Sequence, residues 1–520
     1  MALAVFAGAN AARSDSAAGT ISVFDFIPRD LQADIRARRI DDTHEKAATL
    51  AGHIQWAIDA AAAQRLRLTV PPGLYNIAPR EFFASEAGAC KRCFAIRSHM
   101  QIDAEDGATF RIVDDISTDA AVVFMCMFGS NEQLVSLSWR NLTMDMNGQR
   151  NPISPSRGSG EYSLLNQAHI FISGTPDGNA ARVDNAYVEK CRFLNAPGAS
   201  CLVLAQSNTR NVKLGRGWLI SECEFIDGGL DSPDHSAVYA WATDVICKRC
   251  IFRNTLAKTQ VGGQVAFEVH GSRQLFSGNR VYNYYQGVWV DGNFSEPVSQ
   301  DITIIENVFE EILAFGIMFY GIECQMRRVH IVSNTFSFND NIYAGLDLKT
   351  AIGCLSPVGQ QQVVIRANTV SSASVRTATS GVTLQSSLVK GEMHDDFVID
   401  QNNFYGTTFG VYLITNAICA IGTVVIDANR SFNLSKAGDF RLPQGVAVDF
   451  QSAPSPIRKL SLTRNRCVDT RGAAAECAFG IRVQGRIDEL VVRDNFAAGM
   501  SVADYAEGSV TIRSRVGTYG

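Results

Sequence analysis

Between Tyr239 and Lys349 the chain repeats a short alternating stretch that sets carboxylates, an imidazole, an amine and aromatic rings at matching points. In Gly287-Val288-Trp289-Val290-Asp291-Gly292, Val288 and Val290 take the apolar slots of a strand, so Trp289 and Asp291 face the opposite way. Aligning sister stretches gives two outward positions per copy. The first holds Tyr239, Glu268, Trp289, Met318 and Asp347; the second holds Trp241, His270, Asp291, Tyr320 and Lys349. This mixture suits a sugar ring, whose apolar face stacks on Trp or Tyr while its glycosidic bond is cleaved by a carboxyl pair. Stacked copies about 4.8 Å apart, with outward steps of about 6.6 Å, put the Cβ atoms of Glu268 and Asp291 about 8 Å apart. That value falls in the ~6.5–9.5 Å range of inverting hydrolysis and outside the ~5–5.5 Å of retaining hydrolysis.

Roles follow from these positions. Glu268 and Asp291 are the expected acid and base, and His270 either orients Asp291 or acts as an acid itself. Asp347, about 11–12 Å beyond Asp291 by the same geometry, is a neighbouring subsite or an alternative base. Tyr239, Trp241, Trp289 and Tyr320 are the expected sugar platforms. Lys349, placed beside Tyr320, keeps open a second chemistry, abstraction of the C5 proton of a uronic acid. Asp234 and His235 lie in the Asp-Ser-Pro-Asp-His turn before the Tyr239 strand and are candidates for the rim of the groove, although such a turn is commonly only a turn. The structural alternative for the whole face is burial beneath a loop or another subunit, with charges paired and rings packed.

These stretches belong to a longer repeat. From about residue 135 onward, an Asn or Cys, most often as Asn-x-Phe or Cys-x-Phe, precedes each copy: Cys191, Cys223, Cys250, Asn279, Asn307, Asn334, Asn368, Asn402, Asn429, Asn465 and Asn495. A period of 20–50 residues with short branched runs means stacked coils, and about 13 are expected. The absence of a Leu-x-x-Leu-x-Leu period excludes a leucine-rich horseshoe. The polar stretches Asn151–Tyr162 and Ser386–Asp396 read as loops projecting beside the stack.

Residues 21–80 differ from the rest. Val23-Phe24-Asp25-Phe26 reads as a strand, Asp41-Asp42-Thr43 as a helix start, and Leu50, Ile54, Ala57, Ile58 and Ala61 as one helical face, before Val70-Pro71-Pro72-Gly73-Leu74-Tyr75 returns to strand. An amphipathic helix over the first coil would cover the open end of the solenoid. The order Val-x-Asp-Phe, Asp-Asp-Thr, Ile54-Gln55-Trp56-Ala57-Ile58-Asp59-Ala60 and Pro-Pro-Gly-x-Tyr resembles the N-terminal segment of pectate-lyase-like right-handed parallel β-helix proteins, including phage tailspike depolymerases. The resemblance implies an all-β, right-handed parallel β-helix with an N-terminal capping helix. It departs where relatives carry a Gly-Asp-Gly turn, for this chain has Ile27-Pro28-Arg29-Asp30-Leu31. The superfamily includes hydrolases, lyases, epimerases, transferases and inert adhesion modules, so reaction type does not follow from it.

Composition sets the outer limits. With 520 residues, 46% apolar and 19% charged, the chain divides into a leader-like or flexible stretch at 1–20, a capping segment at 21–80 and a solenoid at 81–520. A net charge of -5 argues against a nucleic-acid partner, and no run of 18 apolar residues spans a membrane. Residues 1–12 resemble the tail of a secretory signal, which points to a secreted protein, while virion association is what the tailspike resemblance implies. The thirteen cysteines form no disulfide pattern; the two Cys-Lys-Arg-Cys runs read as buried thiols and not as a zinc site, so no metal or cofactor is expected. Three functions remain: a polysaccharide hydrolase or transferase, a lyase or epimerase on a uronate polymer, and a non-catalytic adhesion module. Resemblance to tailspikes, with the apolar pair Tyr412 and Ile414 on the later outward ladder, points to a homotrimer.

Overall fold

A computed structural model describes residues 19–516 except 87, 117–123, 152–166, 176, 180, 199, 207–214, 230–234, 256–263, 293–297, 321–324, 341–346, 356–358, 386–393, 415–420, 438–441 and 451–455. The leader-like stretch and most of both proposed projecting loops lie outside the described residues. The chain forms two compact units, Met1–Ile251 and Phe252–Gly520.

In the second unit every coil contributes three strands, each hydrogen-bonded in parallel to its counterpart in the next coil. One ladder runs through Gln286–Val290, Phe315–Phe319, Leu348–Cys354, Ala378–Gln385 and Phe409–Ile414. A second runs through Gln274–Ser277, Val298–Ile305, Gln325–Val332 and Gln360–Arg366. The third is built from strands of three or four residues, Arg280–Tyr282, Val308–Glu310, Thr335–Phe338 and Thr369–Ser372. Strands of this third type number 14 among the described residues, counting Gly73–Ile77 and Ala108–Ile112 of five residues each, one more than the expected 13 coils.

The corner between the second and third ladders explains the Asn repeat. A single left-handed residue turns the chain, at Glu306, Ser333, Ala367 and Gln401, and the next residue is the marker Asn. Asn307 Oδ1 accepts from Asn279 N at 2.9 Å and from Asn279 Nδ2 at 3.0 Å, while its own Nδ2 donates to Phe276 O at 2.9 Å and to Asn334 Oδ1 at 3.0 Å. The same contacts recur from coil to coil, so each buried amide satisfies the backbone of its neighbour. In the first unit Cys191 and Cys223 fill this slot after left-handed Lys190 and Glu222, and Cys223 Sγ donates weakly to Val188 O at 3.4 Å. Burial pushes the Cys223 thiol well above its usual range, which suits packing and not reaction.

The Phe of Asn-x-Phe stacks in the interior. Phe309 and Phe336 lie 4.8 Å apart and nearly parallel, with Phe276 at 6.4 Å from Phe309. The glycine that opens each copy makes room for these rings: a Cβ on Gly287 would sit 2.4 Å from Phe309, and one on Gly316 at 2.4 Å from Phe336. The repeated glycine is therefore a packing requirement of the aromatic stack.

The first unit uses the same three-strand coils and adds the N-terminal elements. The expected helix is His44–Gln64, with Leu50, Ile54, Ala57, Ile58 and Ala61 buried. Gln55 donates to Ala95 O at 3.3 Å and accepts from Ala95 N at 2.7 Å, so a helix side chain pairs with a strand's backbone as another strand would. Two elements differ from expectation. Val23–Asp25 is a 3-10 turn and not a strand, because Ser22 and Asp25 cap each other reciprocally. Glu81–Ser85 and Gly88–Ala95 form an antiparallel hairpin in an otherwise parallel fold.

Replacing Asn334 by Ala removes the acceptor for the buried Asn307 N–H and for its side-chain amide. Each buried group left unpaired costs about 1–3 kcal/mol, so urea unfolding should show a loss of at least that size. An unchanged midpoint would mean that the ladder is decorative.

Candidate functional site

In the second unit the strand ladder aligns Glu268 with Trp289 and Trp289 with Met318, and the next coil supplies Gly353. One step along, His270, Asp291, Tyr320 and Leu355 follow the strand ends. Their backbones are in step: Asp291 N donates to Val269 O at 2.9 Å, Tyr320 N to Val290 O at 3.0 Å, and Leu355 N to Phe319 O at 3.0 Å. Glu268, His270, Trp289, Asp291 and Tyr320 are thus brought together as the alternation required.

Their contacts define the electrostatics. His270 is buried, with Nε2 2.8 Å from Glu268 Oε1 and Nδ1 3.0 Å from Gly292 O. Asp291 Oδ1 accepts from Gly292 N at 2.6 Å, which ties the carboxylate to the same turn. Burial by itself would lower the His270 pKa. The hydrogen bond to Glu268 and the charges of Glu268 and Asp291 outweigh it, and the net shift is upward. One ring nitrogen of His270 therefore meets Glu268 and the other meets the turn that carries Asp291. Beside this cluster, Trp289 and Tyr320 lie 5.1 Å apart and tilted by 56°, and Tyr320 is 37% exposed. The indole Nε1 of Trp289 is buried without a hydrogen-bond partner among the described residues.

Other expected site residues lie elsewhere. Asp347 precedes the strand Leu348–Cys354, and the ladder position next to Met318 belongs to Gly353. The cause is a slipped register: Ala351, and not Gly345, takes the slot opposite Gly316, so a search for glycine stops too early. Lys349 is displaced from Tyr320 for the same reason. It is fully buried, its ammonium donates to Asn339 O at 2.8 Å, and desolvation lowers its pKa to about 8.

Tyr239 and Trp241 belong to the first unit, where the ladder face is packed. Phe171, Val203, Cys90 and Cys126 form an apolar cluster with Phe83 from the hairpin and Tyr239. Trp241 is 3% exposed and packs edge-on against Tyr239, so neither ring is an open sugar platform. His235 is buried under Gly228 and Gly229 with Nδ1 2.9 Å from Gly198 O, and does not line a rim. Asp234 lies outside the described residues.

Sequence reasoning missed Met318 and Gly353 as floor residues and the Gly292 carbonyl as a partner of His270. Met318 was visible in the alternation but carries no polar group to mark it, and a backbone carbonyl leaves no trace in residue type. A surface groove of about 720 Å³ in the first unit, over Thr109, Thr143, Lys190 and Arg192, lacks aromatic rings. Its Arg192 pairs with Glu224 at 2.8 Å, and it offers no ring on which a sugar could stack. Among the described residues no helix is long and apolar enough to cross a membrane.

Comparison with known proteins settles the fold. A family model described as a right-handed beta-helix region matches residues 172–369. The chain folds as a right-handed parallel β-helix. Similar solved structures include the tailspike protein of E. coli bacteriophage HK620 in complex with a pentasaccharide, at TM-score 0.67 and 14% identity, covering 95% of this chain and 80% of that one. A double mutant of that tailspike with pentasaccharide has TM-score 0.68 at 13% identity with the same coverage. A further variant, bound to a hexasaccharide, has TM-score 0.65 at 12% identity, again over 95% and 80%. No curated protein matches the sequence significantly.

The raised pKa of His270 makes a pH prediction. A folded value above the unfolded one contributes stability that is complete below about pH 6.5 and is lost as pH rises through the folded value. The melting temperature of the wild type should fall across that interval, and His270→Gln should flatten the fall. Parallel curves for the two proteins would contradict the ion pair.

Proposed function

We propose that this β-helix is a carbohydrate-active enzyme that cleaves or transfers a glycosidic bond of a polysaccharide on its outer strand ladder, with Glu268 and Asp291 as the acid–base pair. The observation that carries the reading is the grouping of two carboxyl side chains, one step and one coil apart, beside the Trp289–Tyr320 ring pair. Likeness in fold to tailspikes solved with oligosaccharides adds to it. The lyase reading rested on Lys349 beside Tyr320, and Lys349 is buried away from Tyr320 against Asn339. Hydrolysis or transfer is favoured for that reason.

Glu268→Gln and Asp291→Asn should each reduce the rate of reducing-end release from bacterial exopolysaccharides by about 10²–10⁴ while leaving the fold intact. Two variants with near-normal rates would reject the pair. New absorbance from unsaturated uronate, in place of simple reducing ends, would favour the lyase.

Trp289 serves as a sugar platform in this reading. Its replacement by Ala should weaken oligosaccharide binding by about 1–3 kcal/mol with little change in melting temperature, measured by calorimetry and thermal unfolding. A large stability loss would assign the ring to structure.

The assembly we propose is a homotrimer, acting outside the cell where such a polymer lies. The apolar pair that first suggested it is short, since Tyr412 and Ile414 are followed in the ladder by Ala447 and Asp449. Light scattering should give three times the chain mass of 56.5 kDa; a single chain mass rejects the trimer.

A further inference from the structure

The hydrogen bonds around His270 bear on which carboxyl gives a proton and which takes one. Nδ1 faces the Gly292 carbonyl, which only accepts, so that nitrogen is protonated. The open question is the proton between Nε2 and Glu268 Oε1, 2.8 Å apart. It belongs either to an imidazolium facing a carboxylate or to a neutral imidazole facing a carboxylic acid. Free imidazole outranks a free glutamic acid by about two pKa units. The hydrogen bond and the charge of Glu268 favour the imidazolium and raise the His270 pKa. Among the described residues, the groups facing the ring include Glu268 on its own strand and Asp291 with the Gly292 carbonyl from the next coil.

We propose that His270 is a positioning residue held as a buried imidazolium, donating from both ring nitrogens, and that it keeps Glu268 ionised as the proton acceptor, which leaves the donating role of the pair to Asp291. This rests on the reading of Glu268 and Asp291 as the acid–base pair. In the inverting chemistry the spacing suggests, Asp291 gives its proton to the leaving glycosidic oxygen, Glu268 takes a proton from the attacking water, and the C–O bond to the leaving sugar breaks as the new C–O bond forms. His270 exchanges no proton with the substrate. It fixes the Glu268 carboxylate with one bond and anchors itself to the Asp291 turn with the other, so one charged ring sets the position of both acids.

The same arrangement makes the site sensitive to alkali. Once His270 loses its proton, one ring nitrogen becomes an acceptor facing an acceptor, and the bond to either Glu268 or Gly292 is lost. Activity should therefore fall as pH rises through the His270 pKa, with the loss in kcat and not in KM.

The test has an arm that needs no activity. In the full-length protein labelled with ¹⁵N-histidine, the His270 ring at pH 7.5 should show two protonated nitrogens, assigned by the signal's absence in His270→Gln. Glu268→Gln should return it toward a neutral ring. A neutral tautomer in the wild type at pH 7.5 overturns the proposal. In the activity arm, His270→Gln, which can still donate to Glu268, should retain part of the rate, lower kcat about 10-fold or more at constant KM, and abolish the alkaline fall. An unchanged alkaline limb in that variant also overturns it. If Glu268→Gln and Asp291→Asn stay active while the ring is doubly protonated, the acid–base reading fails and the imidazolium stands.

Discussion

The register of the coils depends on one corner. A left-handed residue followed by Asn turns the chain from the second strand ladder to the third, and the Asn amide closes hydrogen bonds to the coils on either side. Because the amide both accepts from one coil and donates to the next, a slip of one residue would leave several buried polar groups unpaired at every corner. The register is thereby held even where the strands between corners have only three residues. Everything exposed on the solenoid, including the carboxyl pair, inherits its position from this buried ladder.

That dependence explains what could be read from the chain without its structure. The inward positions repeat because packing repeats: Asn at the corner, Phe two residues on, and Gly where the ring of the next coil passes. Periodicity was enough to find the coils, the strand alternation and five of the clustered side chains. It failed at Asp347 and Lys349, where Ala351 replaces the marker Gly and the approach to the strand is longer. A small side chain satisfies that slot as well as none does, so residue type alone could not locate it.

A different limit applied to Tyr239 and Trp241. Alternation tells which way a side chain faces and says nothing of what lies over it. In the first unit the antiparallel hairpin brings Phe83 and Cys90 onto the ladder face, and the outward positions become a small second core. Phe171 and Val203, both buried there, are the sequence trace of that cover, since an open ladder would not carry consecutive apolar residues on its outer face. The polar run from Glu268 to Tyr320 contrasts with them, and this contrast in residue type, more than any motif, separates a polar face from a packed one.

Stacked coils also give electrostatics a geometry that a single loop rarely achieves. Side chains at one ladder position sit about 4.8 Å from the next coil, close enough for charges to act strongly on each other and held by strands that do not relax independently. His270 is buried, and burial would ordinarily discharge an imidazole. It is held instead between Glu268 in its own coil and the Asp291–Gly292 turn in the next, so the fold supplies acceptors on both sides without any dedicated loop. Lys349 meets the opposite outcome: its ammonium donates to Asn339 O, and burial lowers its pKa against the opposing charge of Asp340. Two buried bases in the same solenoid are thus shifted in opposite directions: burial lowers both, and only at His270 do a hydrogen-bonded carboxylate and its charge outweigh it.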